Sequence, residues 1–291
     1  MLGEQTRRRL RRALAVLWLF DGGLQLQPFM FSSAFVRQVL EPASAGQPAP
    51  VAAVVRIGAL VVGSQLATWS MLFAGVEIGI GVGFLYRSTL EPALWASCVW
   101  SFIVWVFGEG LGSLLTGHAS LLTGAPGAAL LYLLLTLLAW PVGEESIPRL
   151  RLTALLAWIA IWLGGAALQL QLLGEARGTL ANTLVRASLD APGFVADAQL
   201  GLARTPVASA SSSEWALVIL MVVIGLLALH RRTRFASLGA GTVVALVMWL
   251  LTQSFGGVFT GTATDPGTAP LIALLSLAVW RLDRSARGDW L

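Results

Sequence analysis

The sequence predicts an all-α integral membrane protein with eight transmembrane helices, arranged as two parallel four-helix repeats with both termini cytoplasmic. Composition, an internal repeat and the distribution of arginine support this prediction. Hydrophobic residues make up 56% of the chain and charged residues 12%, whereas soluble domains carry about a quarter charged residues. With a mean hydropathy of +0.77, the chain divides best into spanning segments of about 20 apolar residues.

The internal repeat is clearest in a glycine-rich stretch, residues 105–120, which returns 144 positions later as residues 249–264. The matched pairs in this register include Trp105 with Trp249, Gly112 with Gly256, and Glu109 with Gln253. Past this stretch, a four-residue shift aligns the Pro-Gly pair at 126 with the pair at 266. We therefore predict a first repeat over 1–148 and a second over 149–291.

In the first repeat, the predicted spans are 11–33, 68–86, 91–108 and 126–140. Residues 1–12 form a basic leader, but Asp21 interrupts the apolar segment that follows and no small-residue cleavage site comes soon after. This pattern favours a transmembrane helix over a cleaved signal peptide. Residues 51–86 would form a helix of about 54 Å, too long for a hydrocarbon core of about 30 Å. We therefore expect 51–66 to lie along the interface.

The second repeat follows the same plan, with predicted spans 152–173, 214–230, 236–255 and 268–281. A polar stretch, 174–213, separates the first two, and we expect a partly helical extracytoplasmic loop there. With both termini inside, fourteen of the nineteen arginines lie on the inner side and five on the outer side, as the positive-inside rule requires. The expected location is the bacterial cytoplasmic membrane, with the lipid bilayer and other membrane subunits as partners and no nucleic acid.

Two carboxylates fall deep inside predicted spans, where an ionisable side chain is costly and marks a functional site by default. Asp21 comes nine residues after Arg12, and Glu77 comes ten residues before Arg87, so both lie about 14–15 Å deep at 1.5 Å per residue. If they face each other, low dielectric keeps a proton on one of them. We predict a proton-handling pair; the alternative is structural polar groups that serve only helix packing.

The second repeat has lost both carboxylates: Gly165 stands in place of Asp21, and Met221 in place of Glu77. It has kept the two glutamines that follow Asp21, as Gln169 and Gln171. In the first repeat, Gln25 lies one helical turn beyond Asp21 and on the same face, from where it can hydrogen-bond to the carboxylate. Gln27 is a further candidate binding residue. This asymmetry places the predicted site in the first repeat.

A second candidate site lies where the third span meets the outer surface. Glu109 stands there between two glycines, which let a ligand or another backbone approach closely. The predicted mouth is lined by Glu109, Thr116 and His118, with Gln253 and Thr260 from the second repeat. The alternative is a tight turn whose threonine hydroxyls cap helix ends.

Cofactor motifs are missing from the sequence: there is no Walker loop, dinucleotide fingerprint or nucleophile elbow. His118 is predicted on the outer side and His230 on the inner side, so they form no haem pair, and a metal site needs more ligands than His118 and Glu109. The single cysteine, Cys98, gives no disulfide framework. Trp95, Trp100 and Trp105 lie deeper in the third span, where they either flank a flat ring or serve packing.

Three short motifs of the first repeat are shared with a known family: Leu17-Trp18 with Asp21-Gly22-Gly23, Gln47-Pro48, and the apolar run 76–85 ending in Tyr86-Arg87-Ser88-Thr89. On these motifs the repeat resembles the DoxX-like family of four-helix membrane proteins, and the second repeat does so more faintly. The family includes subunits similar to a membrane thiosulfate:quinone oxidoreductase, so the resemblance suggests quinone as cofactor. Duplication to eight spans departs from the family pattern.

Three functions remain open from the sequence. The first is a redox- or respiration-associated membrane component that contacts quinone or lipid, with Asp21 and Glu77 handling a proton. The second is a small-solute or ion permease whose path begins at Glu109. The third is an accessory or scaffold subunit of a larger membrane complex. Whether the chain is catalytic stays open as well.

Overall fold

The structure is a computed structural model that describes residues 2–173, 175 and 179–285. Within these ranges the chain is helical and contains no β-strand. Thirteen α-helices are described: α1 (Leu2–Leu24), α2 (Ser33–Phe35), α3 (Ala49–Ser64), α4 (Leu66–Gly83), α5 (Leu90–Ile103), α6 (Ala128–Ala139), α7 (Ile147–Gln171), α8 (Leu180–Ala187), α9 (Gly193–Ala203), α10 (Pro206–Ser209), α11 (Ser211–Leu227), α12 (Arg234–Leu251) and α13 (Thr268–Ser285).

Short helical segments of other types join these helices. Two are π-helical, Val36–Leu40 and Val104–Gly108. The others are 3-10 helices: Pro28–Phe31, Glu41–Ser44, Leu111–Ser113, Leu121–Thr123, Glu144–Ser146, Ser188–Asp190 and Ser254–Thr260.

Four helical segments in the described part of the chain are long and apolar enough to cross a membrane: Leu66–Gly83, Leu90–Gly108, Ile147–Gln171 and Arg234–Thr260. By length and composition, these segments fit a membrane protein. Three further apolar helices, α3, α6 and α11, are shorter. At 1.5 Å per residue, the 12 residues of α6 cover about 18 Å, well under a hydrocarbon core of about 30 Å.

The predicted helix boundaries are right in the middle of the chain and wrong at its start. The break expected near residue 66 is confirmed at Gln65, whose φ of −144° and ψ of 59° interrupt the helix between α3 and α4. The first span was placed at 11–33, whereas α1 covers Leu2–Leu24. The basic leader stays helical because Arg7 and Arg11 donate to the carbonyls of Val142 and Ala139. The stretch 174–213 contains α8, α9 and α10; its residues 174 and 176–178 lie outside the described ranges.

The long helices pack as two groups that share one core. α1 contacts α4 and α6, and α5 contacts α4 and α6; in the second half, α7 contacts α11 and α13, and α12 contacts α11 and α13. α13 also packs against α1 and α6, so the buried apolar cluster runs through both halves. Glycines allow close approach in both halves: a Cβ at Gly81 would lie 2.7 Å from Leu19, and one at Gly225 would lie 2.7 Å from Leu163.

Each half contains a hydrogen bond from a tryptophan indole to a serine hydroxyl, but the tryptophan of the second half lies one helical turn before the position that matches the first. Trp18 Nε1 donates to Ser97 Oγ at 3.1 Å, and Trp158 Nε1 donates to Ser237 Oγ at 3.0 Å. In the register of 144, the counterpart of Trp18 is Trp162. Its Nε1 is buried without a partner among the described residues, because a glycine stands where the first half has a serine.

Candidate functional site

Asp21 and Glu77 both line a cavity of about 430 Å³ in the first half, together with Gln25. We call this space the apolar cavity; its walls come from α1, α3, α4, α5, α6 and the loop before α13. Seven aromatic side chains line it: Trp18, Phe35, Trp69, Phe73, Trp100, Phe107 and Tyr132. Of the tryptophans expected deep in the third span, Trp100 lies here. Trp105 bonds to a loop carbonyl, and Trp95 packs on Trp140.

Tight packing of α1 on α4 brings the two carboxylates to one space. A Cβ at Gly22, next to Asp21, would lie 2.9 Å from the backbone nitrogen of Ile78, next to Glu77. Any larger residue at this position would push the helices apart. Only 3% of Asp21 and 5% of Glu77 is exposed, so both side chains are held inside the protein rather than toward lipid.

Several polar atoms in this cavity lack hydrogen-bond partners. Glu77 Oε1 accepts a bond from Trp100 Nε1 at 3.2 Å. Five other buried atoms make no close hydrogen bond in the described part of the chain: Asp21 Oδ1, Gln25 Oε1, Glu77 Oε2, Ser101 Oγ and Tyr132 OH. Tyr132 interacts with Asp21, and Gln25 with Glu77, at longer range. A buried polar group without a partner costs free energy, and such groups in a cavity are available to a ligand.

Two acidic or phenolic residues of this site were missed by the sequence reasoning. Tyr132 on α6 and Asp265 in the loop before α13 both line the apolar cavity and interact electrostatically with Asp21. Tyr132 is one of two tyrosines in the chain and interrupts an apolar helix, which was a usable signal. Asp265 comes from the second half, so no helical periodicity connects it to the first.

The apolar cavity reaches the surface between α3 and the end of α5. Four of its lining side chains are also large exposed apolar residues: Ile57, Val61, Ile103 and Phe107 are 56%, 44%, 39% and 39% exposed. α3 lies close to the π-helical segment here, since a Cβ at Gly58 would be 3.2 Å from Phe107 Cδ1. The surface around this opening is apolar, as a lipid-facing surface is.

A second space of about 600 Å³ lies between the two glycine-rich loops, and we call it the polar cavity. Four of the residues predicted at the mouth, Glu109, Thr116, His118 and Gln253, line it together, and Arg186 and Asp190 join them. Two predicted residues lie elsewhere. Thr260 lines neither cavity, and Gln27 lies outside both, donating to the carbonyl of Ala263 at 3.3 Å, because α1 ends at Leu24.

The glycine-rich loops have the same backbone shape. Four consecutive residues have positive φ in each: Gly110, Leu111, Gly112 and Ser113 in the first, and Ser254, Phe255, Gly256 and Gly257 in the second. Each L-residue in this region costs roughly 1–2 kcal/mol. Each loop is held by its own tryptophan. Trp105 Nε1 donates to the Pro126 carbonyl at 2.9 Å, and Trp249 Nε1 donates to the Pro266 carbonyl at 2.7 Å.

The matched threonines of these loops, Thr116 and Thr260, stabilise turns. Thr116 donates to the carbonyl of Ser113 at 2.8 Å and accepts from the His118 amide at 3.1 Å. Thr260 makes the equivalent bonds, to the carbonyl of Gly257 at 2.6 Å and from the amide of Thr262 at 3.2 Å. These bonds agree with the turn interpretation, and for Thr260 they replace the predicted role at the mouth.

Glu109 and Gln253 hold matching places with different bonds. Glu109 Oε1 accepts from the Ala129 amide at 3.0 Å, and its buried Oε2 makes no close hydrogen bond in the described part of the chain, although the Ala128 amide interacts with this carboxyl at longer range. Gln253 Oε1 accepts from the Thr268 hydroxyl at 3.2 Å. Burial, with the charge of Asp265 as the next cause, raises the pKa of Glu109 to about 8. Burial also raises the pKa of Asp265, against hydrogen bonds from Thr264 and Gly267 that lower it.

The second half fills the corresponding space with side chains. Leu121 covers Gly165, the counterpart of Asp21, and Gln169 accepts a bond from Ser120 at 3.0 Å. Met221 and Ile272, which correspond to Glu77 and Tyr132, are 1% and 0% exposed. The acidic cavity therefore lies in the first half, although one of its carboxyls, Asp265, comes from the second.

Each loop reaches across to the other half. Leu121 and Leu122 come from the first loop, and their carbonyls accept bonds from Gln253 and Thr252 of the second half at 3.3 and 2.6 Å. Asp265 of the second loop lines the apolar cavity of the first half. Residues 121–124 have no counterpart in the second loop. The shorter second loop leaves the cavity of the first half open, whereas the longer first loop fills the corresponding space of the second half.

The remaining candidates take part in neither cavity. Nδ1 of His230 accepts from the Arg232 amide in a turn, and Cys98 is a buried free thiol. Among the described residues, no group of three or more histidine, cysteine, aspartate and glutamate side chains is placed to hold a metal ion.

No protein-family model matches the chain, and searches of curated proteins and of solved structures give no significant match.

Proposed function

We propose that the chain is a multi-pass protein of the bacterial cytoplasmic membrane, built as two parallel four-helix repeats with eight spans and both termini inside. The helix starts support this architecture: α3 and α9 begin 144 residues apart, and so do α5 and α12. α6 and α13 begin 140 residues apart, in agreement with the four-residue shift in the sequence. The arginine distribution supports the orientation.

Within this architecture, the first repeat binds a quinone dissolved in the membrane and serves as a redox-associated component. One observation carries this function: a cavity lined by aromatic rings contains buried carboxyl groups with unpartnered oxygens and opens on an apolar surface. Ligand sites are mostly apolar clefts of about 300–1,000 Å³ with a few convergent polar groups. The DoxX-like resemblance of this repeat points to the same ligand.

The chemistry of the lining suits a quinone ring. Trp18, Trp69 and Trp100 offer faces on which a flat ring can stack. The two quinone carbonyls accept hydrogen bonds from hydroxyls such as Tyr132 and Ser101, or from carboxyls in the protonated form. The apolar opening at Ile57 and Phe107 gives a lipid-soluble molecule a route from the bilayer.

Purification into lipid nanodiscs tests this function. Quinone is expected in the lipid extract of the protein, and a short-chain quinone should quench tryptophan fluorescence saturably. Asp21→Ala and Glu77→Ala should weaken that binding by about tenfold or more, since losing a charged or buried hydrogen-bond partner costs about 1.5–3 kcal/mol.

Glu214→Gln is the matched control, because Glu214 is a buried carboxyl of α11, the counterpart of α4, and does not line the apolar cavity. It should leave quinone affinity unchanged. The function is wrong if the extract holds no quinone and the short-chain quinone produces no saturable quenching.

A permease is the second candidate, favoured by one observation. The apolar cavity is lined by four carboxyl side chains, Asp21, Glu77, Glu109 and Asp265, and by no basic side chain of the described residues. Carboxylates with aromatic rings suit a lipophilic cation. Uptake of tetraphenylphosphonium by proteoliposomes, lost in Glu77→Gln, would establish the permease, and absent uptake would exclude it for this class of solute.

The accessory-subunit alternative rests on the sequence alone. Mild-detergent purification from the native membrane tests it, because a subunit of a larger complex should co-purify with fixed partners. A protein that runs alone and binds quinone would contradict a purely scaffolding role.

A further inference from the structure

The polar and apolar cavities meet at two carboxyl groups. Glu109 and Asp265 line both spaces, although they come from different halves of the chain. On one side of them lie the hydroxyls and amides of the loops; on the other lie aromatic rings and the pair Asp21 and Glu77. Nothing in the quinone-binding function requires this junction, so it asks for a separate explanation.

Glu109 and Asp265 are held in place by bonds that leave each carboxyl able to exchange a proton. Glu109 is anchored through Oε1 by the Ala129 amide at 3.0 Å, and its Oε2 makes no close hydrogen bond in the described part of the chain. Asp265 accepts from the Gly267 amide and the Thr264 hydroxyl, both at 2.8 Å. Neither carboxyl forms an ion pair within the described part of the chain, so no cation fixes either one in the charged state.

Electrostatic interactions join Asp265 to the inner pair and to Glu109. The charge of Asp265 acts on Asp21, Glu77, Glu109 and Tyr132. Four carboxyls that interact in a low-dielectric space cannot all be charged, so their protons redistribute among them when one is gained or lost. Besides Glu109 and Asp265, the charged and titratable groups that line the polar cavity are Arg186, Asp190 and His118.

We propose that Glu109 and Asp265 pass protons between water in the polar cavity and the Asp21 and Glu77 carboxyls in the apolar cavity. In each step, a carboxylic O–H bond breaks on the donor and an O–H bond forms on the acceptor carboxylate. A hydronium ion in the polar cavity supplies the proton and becomes water, and no electron moves. This path rests on the proposed function in one respect only: it gives the quinone site access to aqueous protons.

Deuterium exchange of the buried carboxyls tests the path. The protein is transferred into D2O at acid pH, and infrared spectroscopy follows the carbonyl stretch of the protonated carboxyls. Asp21→Asn and Glu77→Gln identify which bands belong to the inner pair. In the double variant Glu109→Gln, Asp265→Asn, those bands should exchange at least about tenfold more slowly than in the wild type, since positioned proton carriers contribute about 100-fold or more to transfer rates.

Two features of the chain make the variants interpretable. Glutamine already occupies the Glu109 position in the second half, as Gln253, and an asparagine at 265 keeps an oxygen for the Gly267 amide. Asp190→Asn is the matched control, because Asp190 is exposed and lines the polar cavity but not the apolar cavity. In this variant, the bands of the inner pair should exchange as fast as in the wild type.

The outcomes separate the path from the ligand. Quinone binding with unchanged exchange in the double variant would overturn the path and leave the proposed function standing. Slowed exchange without any quinone binding would support the proton path and contradict the proposed binding of quinone. Equal slowing in Asp190→Asn would also overturn the path, because the effect would then come from the general charge of the polar cavity.

Discussion

Leu121 lies directly over Gly165: a Cβ atom at Gly165 would come within 2.8 Å of Leu121 Cδ2. Gly165 is the counterpart of Asp21, and Leu121 belongs to the four residues that only the first loop has. A leucine therefore fills, in one half, the space that corresponds to an acidic cavity in the other. The difference in loop length decides which half keeps room for a ligand.

Leu121→Ala should destabilise the protein. The side chain is 1% exposed, and removing a buried leucine costs about 2–5 kcal/mol because a cavity is left behind. Thermal unfolding in detergent measures the effect. Leu115→Ala is the control, since Leu115 lies in the same loop and is 53% exposed. Equal midpoints for the two variants would contradict the packing of Leu121 on Gly165.

Ser97→Ala should destabilise the first half through the Trp18 indole. Ser97 accepts from Trp18 Nε1 at 3.1 Å and shares a hydrogen bond with Thr136 at 2.8 Å. Its removal leaves buried polar groups unpaired, at a cost of about 1–3 kcal/mol. Urea unfolding followed by tryptophan fluorescence gives the change. Ser64→Ala, at an exposed hydroxyl that bonds only within its own turn, should change the stability little.

Stability should fall as pH rises, because of Glu109. This residue follows the last residue of the Leu90–Gly108 span, and burial raises its pKa from 4.5 to about 8. A raised pKa means that the folded state holds a proton that the unfolded chain has released. The stabilisation is complete below the unfolded pKa and is lost as pH rises through the folded pKa.

Glu109→Gln should therefore flatten the decline in melting temperature between about pH 5 and about pH 9. The side chain of glutamine is neutral at every pH in this range, as it is at Gln253. Glu91→Gln, at an exposed carboxyl, should keep the slope of the wild type. An unchanged slope in Glu109→Gln would show that Glu109 is charged at neutral pH.

The ion pair between Arg234 and Asp283 should depend strongly on both partners. Arg234 Nη1 lies 2.6 Å from Asp283 Oδ1, and the side chains are only 8% and 10% exposed. Asp283→Leu should cost about 3–5 kcal/mol, because it leaves a buried guanidinium unpaired. The double variant Arg234→Leu, Asp283→Leu should recover most of this loss, since Leu90 occupies the Arg234 position in the first half. A double variant as unstable as the single one would contradict this.

Local patterns in the sequence were enough to predict much of the molecule. Composition gave the all-helical class, helix length gave the break at Gln65, and the spacing of Asp21 and Glu77 from flanking arginines gave two residues that line one cavity. Each of these depends on distance along a helix, which rises by about 1.5 Å per residue whatever packs against it.

Contacts between the halves could not be predicted in this way. Asp265 reaches the cavity of Asp21 from almost the far end of the chain, and only the folded arrangement of the loops brings them together. Gln27 was misplaced for a local reason. The prediction continued the first helix to residue 33, whereas α1 stops at Leu24 and Pro28 begins a 3-10 turn, so the residue leaves the face that Asp21 and Gln25 share.

The crossed loops bear on how such a protein can be cut or rearranged. A first half expressed alone would present Leu121 and Leu122, which are 1% and 2% exposed in the whole chain, without the second half that covers them. In the second half alone, Asp265 would lack the cavity of the first half that it lines in the whole chain. Gene fission between residues 148 and 149 should therefore yield two fragments that are unstable singly and regain stability only when co-expressed.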